Sequence, residues 1–187
     1  MKMVAFALAP IVWLTGLSAA GKSTIARGVR ERLTQSGARV EVLDGDSMRE
    51  SVCRGLGFSR EDRDESVRRI ACVAELLSRH DVTVIVAAIS PYREARAAVR
   101  ARLANLVEVH VHCPLDVLEA RDPKGLYARA RRGEISNFTG ISDPYEAPSN
   151  PDVFLNTAHQ DAEESISTVL RFLNDRAKLH SYAPERY

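Results

Sequence analysis

Between Gly16 and Ser23 the chain reads GLSAAGKS, directly after the β-prone run IVWLT and directly before helix-forming sequence. The spacing GxxxxGK[ST] in that setting restricts the fold strongly. Glycines at the two ends allow a turn that a side chain would obstruct, so successive backbone N–H groups can wrap an anion. The helix starting near Lys22 then directs its positive end at the same point. Gly16, Leu17, Ser18, Ala19, Ala20, Gly21, Lys22, Ser23 and Thr24 are therefore expected to hold a nucleoside triphosphate. Lys22 is expected to reach the β and γ phosphates and the Ser23 hydroxyl to ligate Mg²⁺.

A competing reading makes the N-terminus a secretory leader. Lys2 gives a positive start, an uncharged run begins at Met3, and Ser18, Ala19 and Ala20 resemble a cleavage site. Cleavage there would discard the strand and half the loop, and Pro10 interrupts the apolar run. A retained strand, loop and helix is the better expectation. No later apolar segment is long enough to span a bilayer.

The 187 residues suit one domain, 1–187. A formal net charge of +1 leaves no electrostatic footprint for nucleic acid or an anionic membrane. Cys53, Cys72 and Cys113 are odd in number and far apart, which predicts reduced thiols and a cytoplasmic setting. His110 and His112 share one face of an expected strand without a third ligand at suitable spacing, so a structural or solvent-facing role is expected of them.

Strand and helix signals alternate, the pattern of a parallel sheet with helices on both faces. Strands are predicted at Ile11 to Thr15, Arg39 to Leu43, Val82 to Ala88, Val107 to His112 and Val153 to Asn156. Helices are predicted at Lys22 to Gln35, Arg60 to Arg79, Tyr92 to Leu103, Leu115 to Ala120 and Ala162 to Lys178. The fold class is thus α/β, a three-layer sandwich with a five-stranded parallel sheet. Residues 121–151 break the alternation and are expected to form a lid over the carboxyl ends of the strands, where ligands bind in such sheets.

Asp44-Gly45-Asp46 follows the second strand. An Asp-Gly pair is ordinarily a polar turn. Here one carboxylate, Asp44, is expected to support Mg²⁺ and the other, Asp46, to accept a proton from an attacking hydroxyl. No NKxD-like guanine motif is present, so phosphoryl transfer to a small hydroxylated acceptor fits better than a GTPase. Arg49, Arg63, Arg68 and Arg69 together offer a second anion site, because guanidinium groups match phosphate or sulfate in bidentate geometry. Phe58 is either core or a ring for a base to stack on.

These blocks, with LGFS, RRI, ISPYR, RDPKGLYARARRGEI and NFTGISDPYEAP, resemble the adenylylsulfate kinase family over roughly Ile11 to Pro151. The resemblance implies a P-loop kinase that uses MgATP to phosphorylate the 3′-hydroxyl of adenosine 5′-phosphosulfate. It implies Asp46 at the acceptor hydroxyl and an acceptor pocket of Asp46, Arg49, Phe58, Arg63, Ser66, Ile89, Ser90, Lys124, Phe138 and Thr139. Phe58 and Phe138 would sandwich the adenine, and Lys124 would neutralise charge at the transferring phosphoryl. Ser90, described in the family as a phosphorylated intermediate, has no adjacent base in the sequence, so direct in-line transfer is expected. Relatives imply a homodimer, and functional coupling to an ATP sulfurylase is open. Three departures stand out: Ser47 and Ser66 replace usual asparagines, and Ala19 replaces a usual glycine at a tolerant loop position. The serines leave open a kinase of the same fold with another small anionic acceptor. A non-catalytic nucleotide-binding module is the third alternative.

Overall fold

The structure is a computed structural model and describes residues 8–181, with side chains to residue 177. The start of the apolar run, Met3 to Ala7, lies outside the described residues. Five parallel strands, β1 (Ile11–Thr15), β2 (Val40–Asp44), β3 (Thr83–Ala87), β4 (Leu106–His112) and β5 (Val153–Asn156), are arranged in the order β2-β3-β1-β4-β5. Seven helices accompany them: α1 (Lys22–Gln35), α2 (Gly45–Glu50), α3 (Arg60–Ser78), α4 (Arg93–Arg102), α5 (Leu115–Arg121), α6 (Leu126–Arg131) and α7 (Ala162–Ser181).

The central strand is buried at every residue, as a parallel strand covered on both faces should be. Its pleat divides the core. Val12 and Leu14 pack with Ile25, Val29, Ile166 and Val169 of α1 and α7, whereas Ile11 and Trp13 pack with Val67, Ile70, Ala74 and Val99 of α3 and α4. Register brings the carboxyl ends level: Leu14 and Asp44 both lie opposite Ala87, and Thr15 lies opposite His110. The loops that leave β1, β2 and β3 therefore emerge along one edge, beside the switch point at β1.

Two elements differ from expectation. Asp44-Gly45-Asp46 is not a free turn: Asp44 accepts a hydrogen bond from the Asp46 N–H at 3.0 Å and caps α2. The second is α6, inside the expected lid, where Tyr127 and Ala130 are buried one helical turn apart. The later part of 121–151 is bonded to the body. Asn137 to Asp143 forms a tight turn closed by Gly140 N–H on the Asp143 carbonyl at 2.7 Å. Glu146 N–H then donates to the Pro91 carbonyl at 2.9 Å, and Arg93 N–H donates to Glu146 Oε2 at 2.8 Å. Among the described residues no helix is long and apolar enough to cross a membrane.

Candidate active site

A cavity of about 780 Å³ opens along this edge, within the range usual for small-molecule sites. Its donor side is the loop after β1. Gly16 must be glycine because a Cβ there would overlap the Val111 carbonyl oxygen of β4. Gly21 enters α1 with φ +97°, and α1 has no side-chain cap and no acidic residue in its first turn. Its amino-terminal N–H groups are left for an anion. Ser18, Ala19, Gly21, Lys22, Ser23 and Thr24 line the cavity; Gly16 and Ala20 do not, and Leu17 faces a separate groove beside His110 and Tyr145. Ala19 has φ +60°, so this loop position is less tolerant than expected: an L-residue there costs about 1 kcal/mol relative to glycine.

Lys22 folds back over the loop, its Nζ donating to the Gly16 and Leu17 carbonyls at 2.9 and 2.7 Å. Burial lowers its pKa to about 8, against the raising influence of Asp44 and Asp46; Lys124 lowers it further. The Ser23 hydroxyl donates to Asp44 Oδ2 at 2.6 Å. This adjacent hydroxyl and carboxylate form a hard-oxygen set suited to Mg²⁺, which binds through few protein ligands and completes its shell with phosphate and water. No cluster of three or more His, Cys, Asp or Glu suited to a metal occurs among the described residues, and Cys53, Cys72 and Cys113 form no disulfide.

The acceptor side converges from five separate stretches. Asp46, Arg49, Phe58, Arg63, Ser66, Ile89, Ser90, Lys124, Phe138 and Thr139 all line the same cavity. Lys124 Nζ meets Asp46 Oδ2 at 2.6 Å. Both side chains are well exposed, so the pair contributes no more than about 1 kcal/mol and exchanges readily for a stronger partner. Phe58 is faced by cations: the Arg49 guanidinium lies 4.2 Å and that of Arg63 5.4 Å from its ring centre. Phe138 packs edge-on against Tyr127 at 5.1 Å. Thr139 Oγ1 is fully buried in the cavity wall and has no hydrogen-bond partner. A buried orphan hydroxyl is costly unless something else satisfies it.

Not every expected cation converges. Arg68 and Arg69 both bind Glu65 at 2.7 Å, and neither lines the cavity; the shared pairing at helical spacing holds them where they stand. Arg63 is buried, donates to the Phe58 and Asn137 carbonyls at 3.1 and 2.6 Å and lies 3.5 Å from Asp143, so it ties α3 to the turn that presents Phe138. Ser47 is exposed on α2 and does not line the cavity, whereas Ser66 lines it with its hydroxyl on Cys53 Sγ at 3.3 Å. Of the two serine departures, only Ser66 is placed to touch an acceptor. Sequence reasoning missed Arg27, Arg129 and Asn137 in the wall. It also missed Trp13, whose Nε1–H donates to Ser90 Oγ at 3.0 Å; the alternation of β1, with Trp13 and Thr15 on one face, was the available signal.

An uncapped phosphate loop on a β2-β3-β1-β4-β5 parallel sheet, facing a carboxylate and a cation across one cavity, defines a P-loop kinase. Within that class, the family model described as adenylylsulphate kinase matches residues 9–156. The adenylyl-sulfate kinase of Microcystis aeruginosa is 55% identical over 169 residues, covering 90% of this chain and 93% of its own. That of Chloroflexus aurantiacus is 56% identical over 163 residues, 87% of this chain and 88% of its own. The structure of the Mycobacterium tuberculosis APS kinase in complex with AMPPNP and APS superposes with a TM-score of 0.86 at 44% identity, covering 89% of this chain and 98% of that one. The chain belongs to the adenylylsulphate kinase family.

Proposed function

We propose that this protein transfers the γ-phosphoryl group of ATP to the 3′-hydroxyl of adenosine 5′-phosphosulfate, giving ADP and 3′-phosphoadenosine 5′-phosphosulfate. One observation carries the reading: six of the nine phosphate-loop residues and all ten acceptor residues that the family resemblance implies, though scattered from Ser18 to Thr139, line a single cavity. In this reading residues 1–187 form one domain, and residues 121–151 supply its lid, with Lys124 on the cavity side.

The roles follow from position. The loop N–H groups and Lys22 hold the triphosphate, and Lys22 exchanges the Gly16 and Leu17 carbonyls for phosphate oxygens. Ser23 and Asp44 would hold Mg²⁺, which supplies charge neutralisation on the phosphates when bound. Asp46 takes the proton of the 3′-hydroxyl as the new oxygen–phosphorus bond forms and the bond to the ADP oxygen breaks. Lys124, released from Asp46, neutralises charge at the transferring group. Arg49 and Arg63 suit the phosphosulfate, Phe58 and Phe138 the adenine, and Thr139 Oγ1 a polar group of the acceptor.

Transfer is direct. The hydrogen-bond partner of Ser90 Oγ is an indole N–H, a donor and not a base, so its hydroxyl is not activated for attack. The protein is cytoplasmic in this reading, acts as a homodimer and works beside an ATP sulfurylase. The deciding assay combines purified protein, MgATP and adenosine 5′-phosphosulfate. ADP should form only when the acceptor is present, with the 3′-phosphorylated product identified by mass; ADP formed equally with and without the acceptor would defeat the assignment. A Ser90→Ala enzyme that still turns over would exclude a phosphoserine intermediate.

A further inference from the structure

Ser90 lies in the cavity wall with φ +45°, a left-handed conformation that a non-glycine residue adopts at a cost of about 1 kcal/mol or more. Such a corner persists only where its surroundings over-determine it. Here three groups from behind the cavity do so. Trp13 Nε1–H donates to Ser90 Oγ at 3.0 Å, and Thr15 Oγ1 donates to the Ile89 carbonyl at 2.6 Å. The third is Arg96 of α4, whose Nη1 donates to the Ser90 carbonyl at 2.6 Å.

Arg96 is almost wholly buried, and all three of its nitrogens are engaged. Nε donates to Glu108 Oε1 at 3.0 Å, and Nη2 donates to the Glu146 carbonyl of the lid segment. Charge is balanced locally. Arg100, one helical turn on, meets the other oxygen of Glu108 at 3.3 Å and Asp152 Oδ2 at 2.7 Å, so two guanidinium groups face two carboxylates. Glu108 thus holds the Arg96 fork, and the fork's two ends grip the Ser90 corner and the returning lid segment. Lysine cannot reproduce this, because its ammonium offers no planar arrangement of three divergent donors.

We infer that Arg96 is a positioning residue for acceptor binding: it fixes the Ile89–Ser90 corner and couples that corner to the lid through the Glu146 carbonyl. The kinetic part of this inference rests on the proposed kinase function. Its geometric part does not, because Trp13 is the only tryptophan and its indole is bonded to the corner itself. Trp13 emission therefore reports whether the corner is held.

The test uses Arg96→Lys, the charge-balanced double variant Arg96→Met with Glu108→Gln, and Ser90→Ala as the reference for an indole without its partner. Both Arg96 variants should shift Trp13 emission toward the Ser90→Ala spectrum. They should raise the KM for adenosine 5′-phosphosulfate about ten-fold or more, the loss expected for one charged hydrogen bond, while the KM for MgATP changes less than about two-fold. The double variant keeps the inference decidable if Arg96→Lys fails to fold, since it leaves no unpaired buried charge. An unmoved acceptor KM overturns the inference whatever the emission does, as does a parallel rise in both KM values with a lowered Tm, which would make the arginine merely structural. Should the wild-type enzyme lack acceptor-dependent turnover, the functional reading fails instead. The emission series then decides by itself whether Arg96 holds the corner: a shift supports it and a wild-type spectrum overturns it.

Discussion

Replacing Lys22 by methionine should make the unliganded protein more stable while removing its use of ATP. Burial lowers the Lys22 pKa from 10.5 to about 8, so its charged form is disfavoured in the fold by about 3 kcal/mol near pH 7. Methionine keeps the apolar stem and removes the ammonium. The Gly16 and Leu17 carbonyls lose a donor, at about 0.5–1 kcal/mol each, although water can replace it at the cavity. The net gain is about 1–2 kcal/mol, or roughly 3–6 °C in Tm for a chain of this length. The pH dependence supplies the sign. Between pH 8 and 10.5 the unfolded chain binds more protons at this residue than the folded one, so wild-type stability rises with pH over that window. Below pH 8 the full penalty applies; above 10.5 it is gone. The Tm difference between variant and wild type should therefore be largest at pH 7 and close by pH 10.5. Thermal melts in a pH series, repeated with an ATP analogue and Mg²⁺, would measure it. A variant no more stable than wild type at pH 7, or a difference that stays constant with pH, would refute the reasoning.

Asp46→Asn should lower kcat by about a hundred-fold or more, with little change in Tm because its ion pair with Lys124 is exposed; near-normal turnover would remove Asp46 from the role of base. Ala19→Gly should raise Tm only slightly, by about 2 °C at most, because relief of about 1 kcal/mol at φ +60° is offset by glycine's extra freedom in the unfolded chain, which costs about 0.4–1 kcal/mol; a clearly lower Tm argues against a strained loop. Thr139→Val should leave the unliganded protein as stable or slightly more so, since it removes an orphan hydroxyl, and should raise the acceptor KM several-fold. Calorimetric titration of the acceptor and a thermal melt together check that pair of outcomes.

The sheet was legible because β1 and β3 are near-continuous apolar runs, the other strands are rich in β-branched residues between helical periods, and the glycine loop fixes which strand is central. The predicted bounds of β1, β5 and α1 are those observed, and the other boundaries moved by at most one residue, or three at the end of α7. What escaped detection was short. The helix α2 begins in an Asp-Gly pair whose local chemistry is that of a turn, and only the Asp44 cap reveals otherwise. The helix α6 buries just Tyr127 and Ala130, too few positions to establish a period. The acceptor residues were reached through the family resemblance, and the cavity gathers them. Arginine partners were not legible. The apolar period Val67, Ile70 and Ala74 sets Arg63 on the buried side of α3 and Arg68 off it, but the Asn137 carbonyl that Arg63 reaches is 74 residues away, and no local signal names it.

The first strand bears on both substrates at once. Its last residue leads straight into the triphosphate loop, and its Trp13 and Thr15 side chains prop up the corner opposite. The donor loop and the Ser90 corner are thus both mounted on one strand, and the pleat of its five residues sets their relative placement. Attempts to broaden acceptor choice should accordingly leave this strand untouched and vary the far wall, around Ser66 and Phe138, where changes can alter the guest without disturbing the line of attack.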